Sequence, residues 1–193
     1  MALKTIKSVC IFCGSSMGSD SIYKEKAVAL GKLLAKENIT LVFGGSCLGL
    51  MGVIADAALA EGGNVIGVIT EYLFNKGISH NGLTELSVVK EMTDRKAMMI
   101  ELSDAFIALP GGYGTLDEIS EVLSLNQLSL IDKPCGLLNI KGYFDNYIKQ
   151  LDHSVTEKLL RPEHRNMLIA DEDETVLLKK LKNYEKVEIG KWY

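Results

Sequence analysis

Three observations on the sequence predict an α/β fold. Short apolar runs alternate along the chain with segments whose apolar residues recur at helical spacing, which is the pattern of β–α units around a parallel sheet. The chain has 193 residues, a length suited to one domain. No internal repeat, low-complexity tract or linker interrupts it. We therefore predict that residues 1–193 form one doubly wound (Rossmann-like) domain, a mostly parallel sheet with helices on both faces.

The first half of the chain alternates strands and helices as such a sheet requires. Three short apolar segments predict strands: "KSVCIFCG", "ITLVFGG" and "NVIGVIT". The two segments between them predict helices: "SIYKEKAVALGKLLAKEN" and "GLMGVIADAALAEG". The apolar residues of the first helix fall mostly on one face, which is expected to lie in the core; they are Ile22, Ala27, Leu30, Leu33 and Leu34. A loop, "EYLFNKGISHNG", is predicted to follow the third strand.

The second half continues the alternation. Strands are predicted at "LTELSVVKE", "AFIALP" and "KPCGLLNI". Helices are predicted at "TDRKAMMIELSD", "TLDEISEVLSLNQLSL", "GYFDNYIKQLDHSV" and "ETVLLKKLKNY". The acidic run Asp171–Glu174 precedes the last of these helices, and negative charge stabilises a helix N-terminus. Capping of that helix is the explanation we favour for the acidic run.

Composition and charge narrow the possible partners. The net charge is −4 and no long basic run occurs, whereas binding to a nucleic acid backbone needs clustered Lys and Arg. No apolar window reaches the roughly 18 residues needed to span a bilayer, and the start lacks the apolar segment of a secretion signal. We therefore expect no nucleic acid partner, no membrane partner and a cytoplasmic location.

The four cysteines predict neither a metal site nor a redox site. Cys10 and Cys13 form a C-x-x-C, but they lie inside a predicted strand, whereas redox pairs sit at helix starts and structural zinc needs further ligands. Buried small apolar residues in a reducing compartment are the favoured interpretation. The histidines at 80, 153 and 164 show no ligand spacing. No metal and no cofactor are expected.

Two glycine-rich turns follow predicted strands, where ligands bind in such sheets. The first, "FGGSCLGLMG", matches neither a dinucleotide fingerprint nor a P-loop, because its glycine spacing differs and no Walker lysine follows. The second is "LPGGYGTLDE". Its glycines, Gly111, Gly112 and Gly114, allow a tight turn and close approach of a ligand. The N–H groups that follow would point at an anion, for which a mononucleotide phosphate is suitable.

Glu118 has two possible roles at this stage. Thr115 and Glu118 form T-x-x-E, the pattern of a capping box, although a plain cap does not need three nearby glycines. Arg95 and Lys96 begin the helix before the "AFIAL" strand, at the same edge of the sheet. Cations at a helix N-terminus are unfavourable by roughly 0.3–1 kcal/mol each, a cost that an anionic ligand would offset. The alternative to an anionic ligand is that Arg95 and Lys96 are a basic pair exposed to solvent. Met98 and Met99 are expected in the core.

These residues resemble the paired signature of a known family. "PGGYGTLDE" and "MTDRK" are similar to P-G-G-x-G-T-x-x-E and M-x-x-R-K of the Lonely Guy family, the cytokinin riboside 5′-monophosphate phosphoribohydrolases. The resemblance runs from "FCGSS" through "GLMG" to "KPCGLLNIKGYFD". It implies hydrolysis of the N-glycosidic bond of a nucleoside 5′-monophosphate, giving free base and ribose 5-phosphate. It also implies a homodimer with active sites at or near the interface.

The resemblance also implies roles for individual residues. Arg95 and Glu118 match the catalytic pair of the family. Further positions match its phosphate-binding and substrate-binding residues: Ser15, Gly44, Gly45, Lys96, Gly111, Gly112, Tyr113, Gly114, Thr115 and Ser124. A lysine decarboxylase label, used for older members, does not suit the chemistry. Decarboxylation of an amino acid needs an electron sink such as pyridoxal phosphate on a lysine, and no residue here marks such a lysine.

Departures from the family pattern bear on the choice of base. Five positions differ: Ser46 replaces a glycine, Gly77 a glutamate, Leu125 a tryptophan, Ser129 a glycine and Ile131 a histidine. We expect these positions to touch the ribose and the base rather than the phosphate. Both cytokinin riboside monophosphates and AMP are therefore candidate substrates. The alternative function is a nucleotide sensor or carrier that uses the same pocket without turnover.

Overall fold

The structure, a computed structural model, describes residues 5–186. Its seven strands are β1 (Ser8–Phe12), β2 (Thr40–Phe43), β3 (Val65–Thr70), β4 (Glu85–Val89), β5 (Ala105–Ala108), β6 (Cys135–Leu138) and β7 (Leu168–Asp171). The helices are α1 (Ser21–Lys36), α2 (Gly49–Ala60), α3 (Glu71–Phe74), α4 (Met92–Glu101), α5 (Tyr113–Gln127), α6 (Asp145–Thr156), α7 (Pro162–Arg165) and α8 (Glu174–Lys182).

The strands form one sheet in which all pairs are parallel. Their order is β4-β3-β2-β1-β5-β6-β7. The first strand lies at the centre, with Val9 opposite Leu41 of β2 on one side and Ala105 of β5 on the other. From this centre the chain winds outward to β4 and then returns to build the other half from β5. The predicted doubly wound α/β fold is therefore confirmed.

The core consists of two apolar layers, one on each face of the sheet. Side chains of β1 alternate between them, with Val9 and Ile11 in one layer and Cys10 and Phe12 in the other. The layer of Val9 also contains the buried faces of α1, α2 and α8, and the second layer contains those of α4, α5 and α6. Burial on both faces explains why β1, β2 and β5 are apolar apart from the first residues of two of them, Ser8 and Thr40.

The element predictions were correct for most of the chain and wrong in two places. The segment predicted as a loop after β3 contains the short helix α3, capped by Thr70 Oγ1. Helix α7 and strand β7 were missed. Asp171 ends that strand, so the acidic run covers two elements. Its capping role is confirmed at Asp173, whose Oδ1 accepts from the N–H groups of Thr175 and Val176 at 2.9 Å.

The smaller predictions on buried side chains hold as well. Cys10, Cys13 and Cys135 are buried free thiols, as expected of small apolar residues, whereas Cys47 is exposed. Met99 is buried and Met98 packs partly against the same layer. No helix within residues 5–186 is long and apolar enough to cross a bilayer.

The C-terminal end of α5 adopts a Schellman turn that contains an unfavourable residue. The Ser129 N–H donates to Asn126 O at 2.9 Å, and the Leu130 N–H donates to Leu125 O at 3.0 Å. The turn requires a left-handed residue after the cap, and Ser129 takes it with φ = 56°. A Cβ is strained in that conformation, so Ser129 destabilises the turn relative to glycine.

We expect Ser129→Gly to raise the free energy of unfolding by about 0.5–1 kcal/mol, because the left-handed backbone favours glycine by more than the entropy glycine loses. Urea denaturation measures this difference. Ser129→Ala is the control, since it removes the hydroxyl but retains the Cβ, and it should bring no gain. Equal stability of the glycine variant and the wild type would contradict this account of the turn.

Candidate active site

A pocket lies beside β1 and β5, the neighbouring strands from which the two halves of the sheet are built outward in opposite directions. The strands β1 and β5 are neighbours, but the loops after them lead to helices on opposite faces, which leaves a crevice at their carboxyl ends. The Gly14 N–H donates to Pro110 O at 3.0 Å and joins the two loops at its base. The cavity has a volume of about 270 Å³. Its walls are Ile11, Cys13, Gly14, Ser15, Gly44, Met51, Arg95, Gly112, Tyr113, Gly114, Thr115 and Glu118.

Arg95 is fixed in the wall of this pocket. It lies in the first turns of α4 and is only 8% exposed. Its Nε donates to Val68 O of β3 at 3.0 Å, and its Nη1 donates to Glu118 Oε1 at 3.0 Å. A Cβ added at Gly44 would collide with Nη2 of this guanidinium. Gly44 is therefore the residue that allows the arginine to lie against the loop after β2.

Glu118 faces Arg95 from the second turn of α5. Its side chain is 12% exposed. Burial raises the pKa of this carboxyl above its usual range, while the Arg95 charge and hydrogen bond oppose the rise. A carboxylate that is poorly hydrated is a stronger base than one in water. The pair thus presents a basic oxygen and a fixed positive charge to the same cavity.

The N-terminus of α5 presents free donors to the pocket. The N-cap is Gly112, with no side chain bonded to the first turn, so the first N–H groups have no partner inside the helix. A Cβ at Gly112 or Gly114 would meet no atom within 4 Å, whereas one at Gly111 would collide with Thr115. Gly111 is thus required for packing, and the other two leave the approach to the helix open. This geometry suits an anion.

The capping-box alternative for Thr115 and Glu118 is wrong. The helix begins at Tyr113, three residues earlier than the pattern required, so Thr115 lies inside the first turn and is buried. Glu118 bonds the Arg95 guanidinium instead of a backbone N–H. A capping bond of this kind occurs at α4, where Asp94 Oδ2 accepts from the Glu91 N–H at 3.3 Å.

Lys96 does not line the cavity. Its Nζ lies 3.1 Å from Asp117 Oδ2 and 2.9 Å from Glu121 Oε2, and it is not among the lining residues of the pocket. The two cations were expected to be offset by an anionic ligand. Instead, carboxylates of α5 balance both of them within the chain. The alternative of a solvated basic pair is wrong for Arg95, which is buried. An anionic ligand beside these cations stays a prediction.

The structure brings together eight of the twelve residues that the resemblance implied for the site. Those in the pocket wall are Ser15, Gly44, Arg95, Gly112, Tyr113, Gly114, Thr115 and Glu118. Four lie elsewhere. Gly45 is buried with φ = 70° against Ile69 and Leu86. Lys96 is paired with a carboxylate of α5, Gly111 lines an adjoining cavity, and Ser124 lines a separate groove between α5 and α6.

The five departures from the family pattern do not reach this pocket within one chain, contrary to the expectation that they touch ribose and base. Leu125, Ser129 and Ile131 lie at the C-terminal end of α5 and in the loop before β6, at the opposite edge of the sheet. Ser46 is buried behind the loop, bridged to Ser79, and Gly77 has φ = 70° in the turn after α3. The length of α5, which has 15 residues, separates Leu125, Ser129 and Ile131 from the site.

Four residues of the pocket wall were not assigned a role from the sequence. They are Ile11, Cys13, Gly14 and Met51. The signal that could have found two of them is their position, since Cys13 and Gly14 directly follow β1. Burial raises the pKa of the Cys13 thiol well above its usual range, with the Glu118 charge adding to the effect. The thiol is therefore protonated and inert. Within residues 5–186 no cluster of metal-ligating side chains occurs.

Comparison with known proteins identifies the family. A family model described as "Possible lysine decarboxylase" matches residues 51–181. A cytokinin riboside 5′-monophosphate phosphoribohydrolase of Arabidopsis thaliana is 44% identical over 178 residues, covering 92% of this chain and 84% of the relative. A probable enzyme of the same name from Oryza sativa subsp. japonica is 45% identical, covering 92% and 73%. The chain belongs to the cytokinin riboside 5′-monophosphate phosphoribohydrolase family.

Solved structures share the fold at lower identity. The molybdenum cofactor carrier protein of Chlamydomonas reinhardtii superposes with a TM-score of 0.69 at 20% identity, covering 91% of this chain and 95% of that one. A molybdenum cofactor binding protein of Rippkaea orientalis gives 0.67 at 22% identity, with the same coverage. These similarities concern the fold alone. The phosphoribohydrolase family therefore shares its fold with proteins that have other names.

We expect Gly114→Ala to stabilise the fold and to weaken nucleotide binding. Alanine is favoured over glycine inside a helix by about 0.5–1 kcal/mol, and the added methyl meets no protein atom. It would, however, occupy the open approach to the α5 N-terminus. Urea denaturation and calorimetric titration with AMP measure the two effects.

A control for Gly114→Ala is Gly62→Ala, which also enters open space but at φ = 75°. That variant should lose stability, because the backbone is left-handed, and should bind AMP normally. If Gly114→Ala bound AMP as tightly as the wild type, the space above Gly114 would not be used by the ligand.

Proposed function

We propose that this protein hydrolyses the N-glycosidic bond of nucleoside 5′-monophosphates and releases the free base and ribose 5-phosphate. The observation that carries the proposal is the buried Arg95–Glu118 pair, with its atoms 3.0 Å apart, beside an uncapped helix N-terminus in the same pocket. A site for a phosphate alone would not need a carboxylate, which repels anions. The relatives named for this reaction, at 44–45% identity, support the same assignment.

The phosphate end of the substrate belongs at the N-terminus of α5. The residues from Gly112 to Thr115 offer backbone N–H groups with no partner inside the helix, and the positive end of the helix dipole favours an anion there. Ser15, exposed in the loop after β1, offers a hydroxyl from the facing wall. The ribose then extends along the first two turns of the helix toward Glu118.

Bond cleavage follows from the charges around the ribose. As the bond between C1′ and the base nitrogen breaks, its electron pair leaves with the base and positive charge develops on the ribose. The Glu118 carboxylate stabilises that charge and accepts a proton from the water that attacks C1′. The departing base takes its proton from solvent. Arg95 keeps its proton near neutral pH, so its role is to hold Glu118 and the ribose hydroxyls.

Of the phosphate, the ribose and the base, the base is the part whose identity the pocket of a single chain restricts least. The pocket wall around Arg95 and Glu118 is made mostly of glycines and other small residues, with Ile11, Met51 and the exposed Tyr113 as its large side chains. The small residues contact a sugar phosphate rather than select a base. The substrates proposed are therefore cytokinin riboside monophosphates, AMP, or both. The family name favours the first, and a pocket that contacts mainly the sugar phosphate admits the second as well.

A homodimer in the cytoplasm completes the proposal, with residues 1–193 as one domain. Support for the dimer comes from the exposed apolar side chains at the end of α5, where Leu128 is 49% exposed and Leu130 is 67% exposed. We expect light scattering to give a mass of twice the 21.1 kDa of one chain. A mass of one chain at all concentrations tested would exclude the dimer.

The test of the activity is chromatography of pure protein incubated with AMP and with N6-modified analogues. Free base and ribose 5-phosphate should appear in equal amounts. The alternative, a nucleotide sensor or carrier, predicts saturable binding of the same compounds without release of base. Failure of every nucleotide to release base would exclude the enzyme.

Glu118→Gln should bind AMP but release base at least about 10²-fold more slowly, because the amide cannot accept the proton of water or balance positive charge on the ribose. Single-turnover kinetics and calorimetry measure the two properties. Glu101→Gln, at the exposed end of α4, removes the same charge away from the pocket and should behave as the wild type. Turnover of Glu118→Gln at the wild-type rate would leave the carboxylate with a structural role only.

A further inference from the structure

We infer that Tyr143 is a positioning residue of the anion site: its hydroxyl holds the peptide between Gly111 and Gly112 in the orientation that turns the Gly112 N–H toward a bound phosphate. This inference deepens the proposed function and rests on it, since it concerns the phosphate end of the same substrate. Tyr143 itself does not line the pocket of Arg95 and Glu118, so it acts through the backbone of the glycine-rich turn.

A single hydrogen bond fixes the orientation of this peptide. The Tyr143 hydroxyl donates to Gly111 O at 2.7 Å, the usual distance for a hydrogen bond between two oxygens. The Gly111 carbonyl and the Gly112 N–H belong to one planar trans peptide group, in which they point in opposite directions. Because the carbonyl points to Tyr143 in the adjoining cavity, the N–H points away from that cavity. Tyr143 therefore sets the direction of a donor at the N-cap of α5.

The peptide between Gly111 and Gly112 has little steric preference of its own. Its orientation depends on ψ of Gly111 and φ of Gly112, and neither residue has a Cβ to restrict the rotation. If this peptide turned over, it would present the partial negative charge of Gly111 O to the phosphate in place of an N–H. The peptides on either side are held by the backbone. Pro110 O accepts from the Gly14 N–H at 3.0 Å, and Gly112 O accepts from the Leu116 N–H at 3.1 Å. The peptide between them depends on a side chain.

Tyr143 is suited to this role because its own backbone and ring are fixed. It follows Lys141 and Gly142, two successive left-handed residues with φ of 54° and 69° that turn the chain after β6. The side chain of Asn139 closes this turn, since its Oδ1 accepts from the Phe144 N–H at 2.7 Å. The Tyr143 ring packs edge-to-face against the buried Phe144 ring, with the ring centroids 5.1 Å apart. The hydroxyl therefore belongs to a part of the chain whose position is set independently of α5.

Loss of the Tyr143 hydroxyl should change binding rather than chemistry. The phosphate is bound in the ground state and in the transition state alike, so a donor that meets only the phosphate lowers KM without raising kcat. The contact between Arg95 and Glu118, which acts at the ribose, does not involve Tyr143. If the hydroxyl served only to pack α5, its loss would displace Glu118 and lower kcat instead. The ratio of the two kinetic effects therefore separates orientation of the peptide from packing of the helix.

The first experiment uses inorganic phosphate as the probe, so that it does not depend on turnover. In wild-type protein with ¹⁵N-labelled glycine, the Gly112 N–H resonance should shift as phosphate is added. Tyr143→Phe retains the ring but removes the donor. We expect its dissociation constant for phosphate to rise about fivefold, the effect of one lost hydrogen bond, and its Gly112 resonance to shift less. The matched control is Tyr147→Phe, which removes a hydroxyl bonded to Ser120 of α5 at 2.9 Å and should bind phosphate as the wild type does.

The second experiment measures hydrolysis of AMP. Tyr143→Phe should raise KM and the inhibition constant of ribose 5-phosphate about fivefold each, while kcat changes less than about twofold. Replacement of Tyr143 by para-aminophenylalanine should restore both constants, because its N–H can donate to Gly111 O. Replacement by para-methoxyphenylalanine, which keeps the oxygen but has no donor, should not restore them.

Two results would overturn the inference. One is phosphate binding by Tyr143→Phe as tight as that of the wild type, or no binding of phosphate by either protein. The other is a tenfold lower kcat with an unchanged KM, which would make Tyr143 a packing residue of α5. If the wild type bound phosphate and Tyr143→Phe bound it more weakly, but no nucleotide released its base, the proposed hydrolysis would fail while the role of Tyr143 at the anion site would stand.

Discussion

The contact between Arg95 and Glu118 constrains the rest of the site. Two ionised groups that are removed from water lose hydration, and only good geometry with additional hydrogen bonds compensates for this loss. Here the guanidinium is also bonded to Val68 O of β3, and its approach requires Gly44 to lack a side chain. Loss of one partner of such a pair costs about 3–5 kcal/mol. The geometry of this one ion pair therefore depends on the sheet, on the loop after β2 and on two helices.

The sheet topology provides the place for that pair. Because β1 and β5 are central neighbours whose loops diverge, the crevice lies between the loop at Gly14 and the N-terminus of α5. Helix α4 ends just before β5, so its first turns lie at the same carboxyl edge as the start of α5. A basic side chain early in α4 and an acidic one early in α5 consequently meet.

Much of this arrangement could be predicted from sequence, because β–α alternation and glycine-rich turns are local signals. The common edge of the two motifs followed from the fold class, whereas the order of the strands was not predicted. The predictions failed where a pattern within one helix was used for a side chain whose partner lies on another element. T-x-x-E predicted a cap, but the helix begins earlier at Tyr113 and Glu118 has a partner 23 residues away. The carboxylates that balance Lys96 belong to another helix, so no pattern within α4 could reveal them.

The fold by itself does not determine the chemistry. Molybdenum cofactor carrier and binding proteins have the same architecture at 20–22% identity, and function resides in the side chains placed on a scaffold. In this chain few side chains define the site. The donors suited to an anion at the α5 N-terminus are backbone N–H groups, which need no particular side chain. The Glu118 carboxylate distinguishes this pocket from a site made of anion donors alone. Its position depends on α5, so the packing of that helix sets the distance between Glu118 and Arg95.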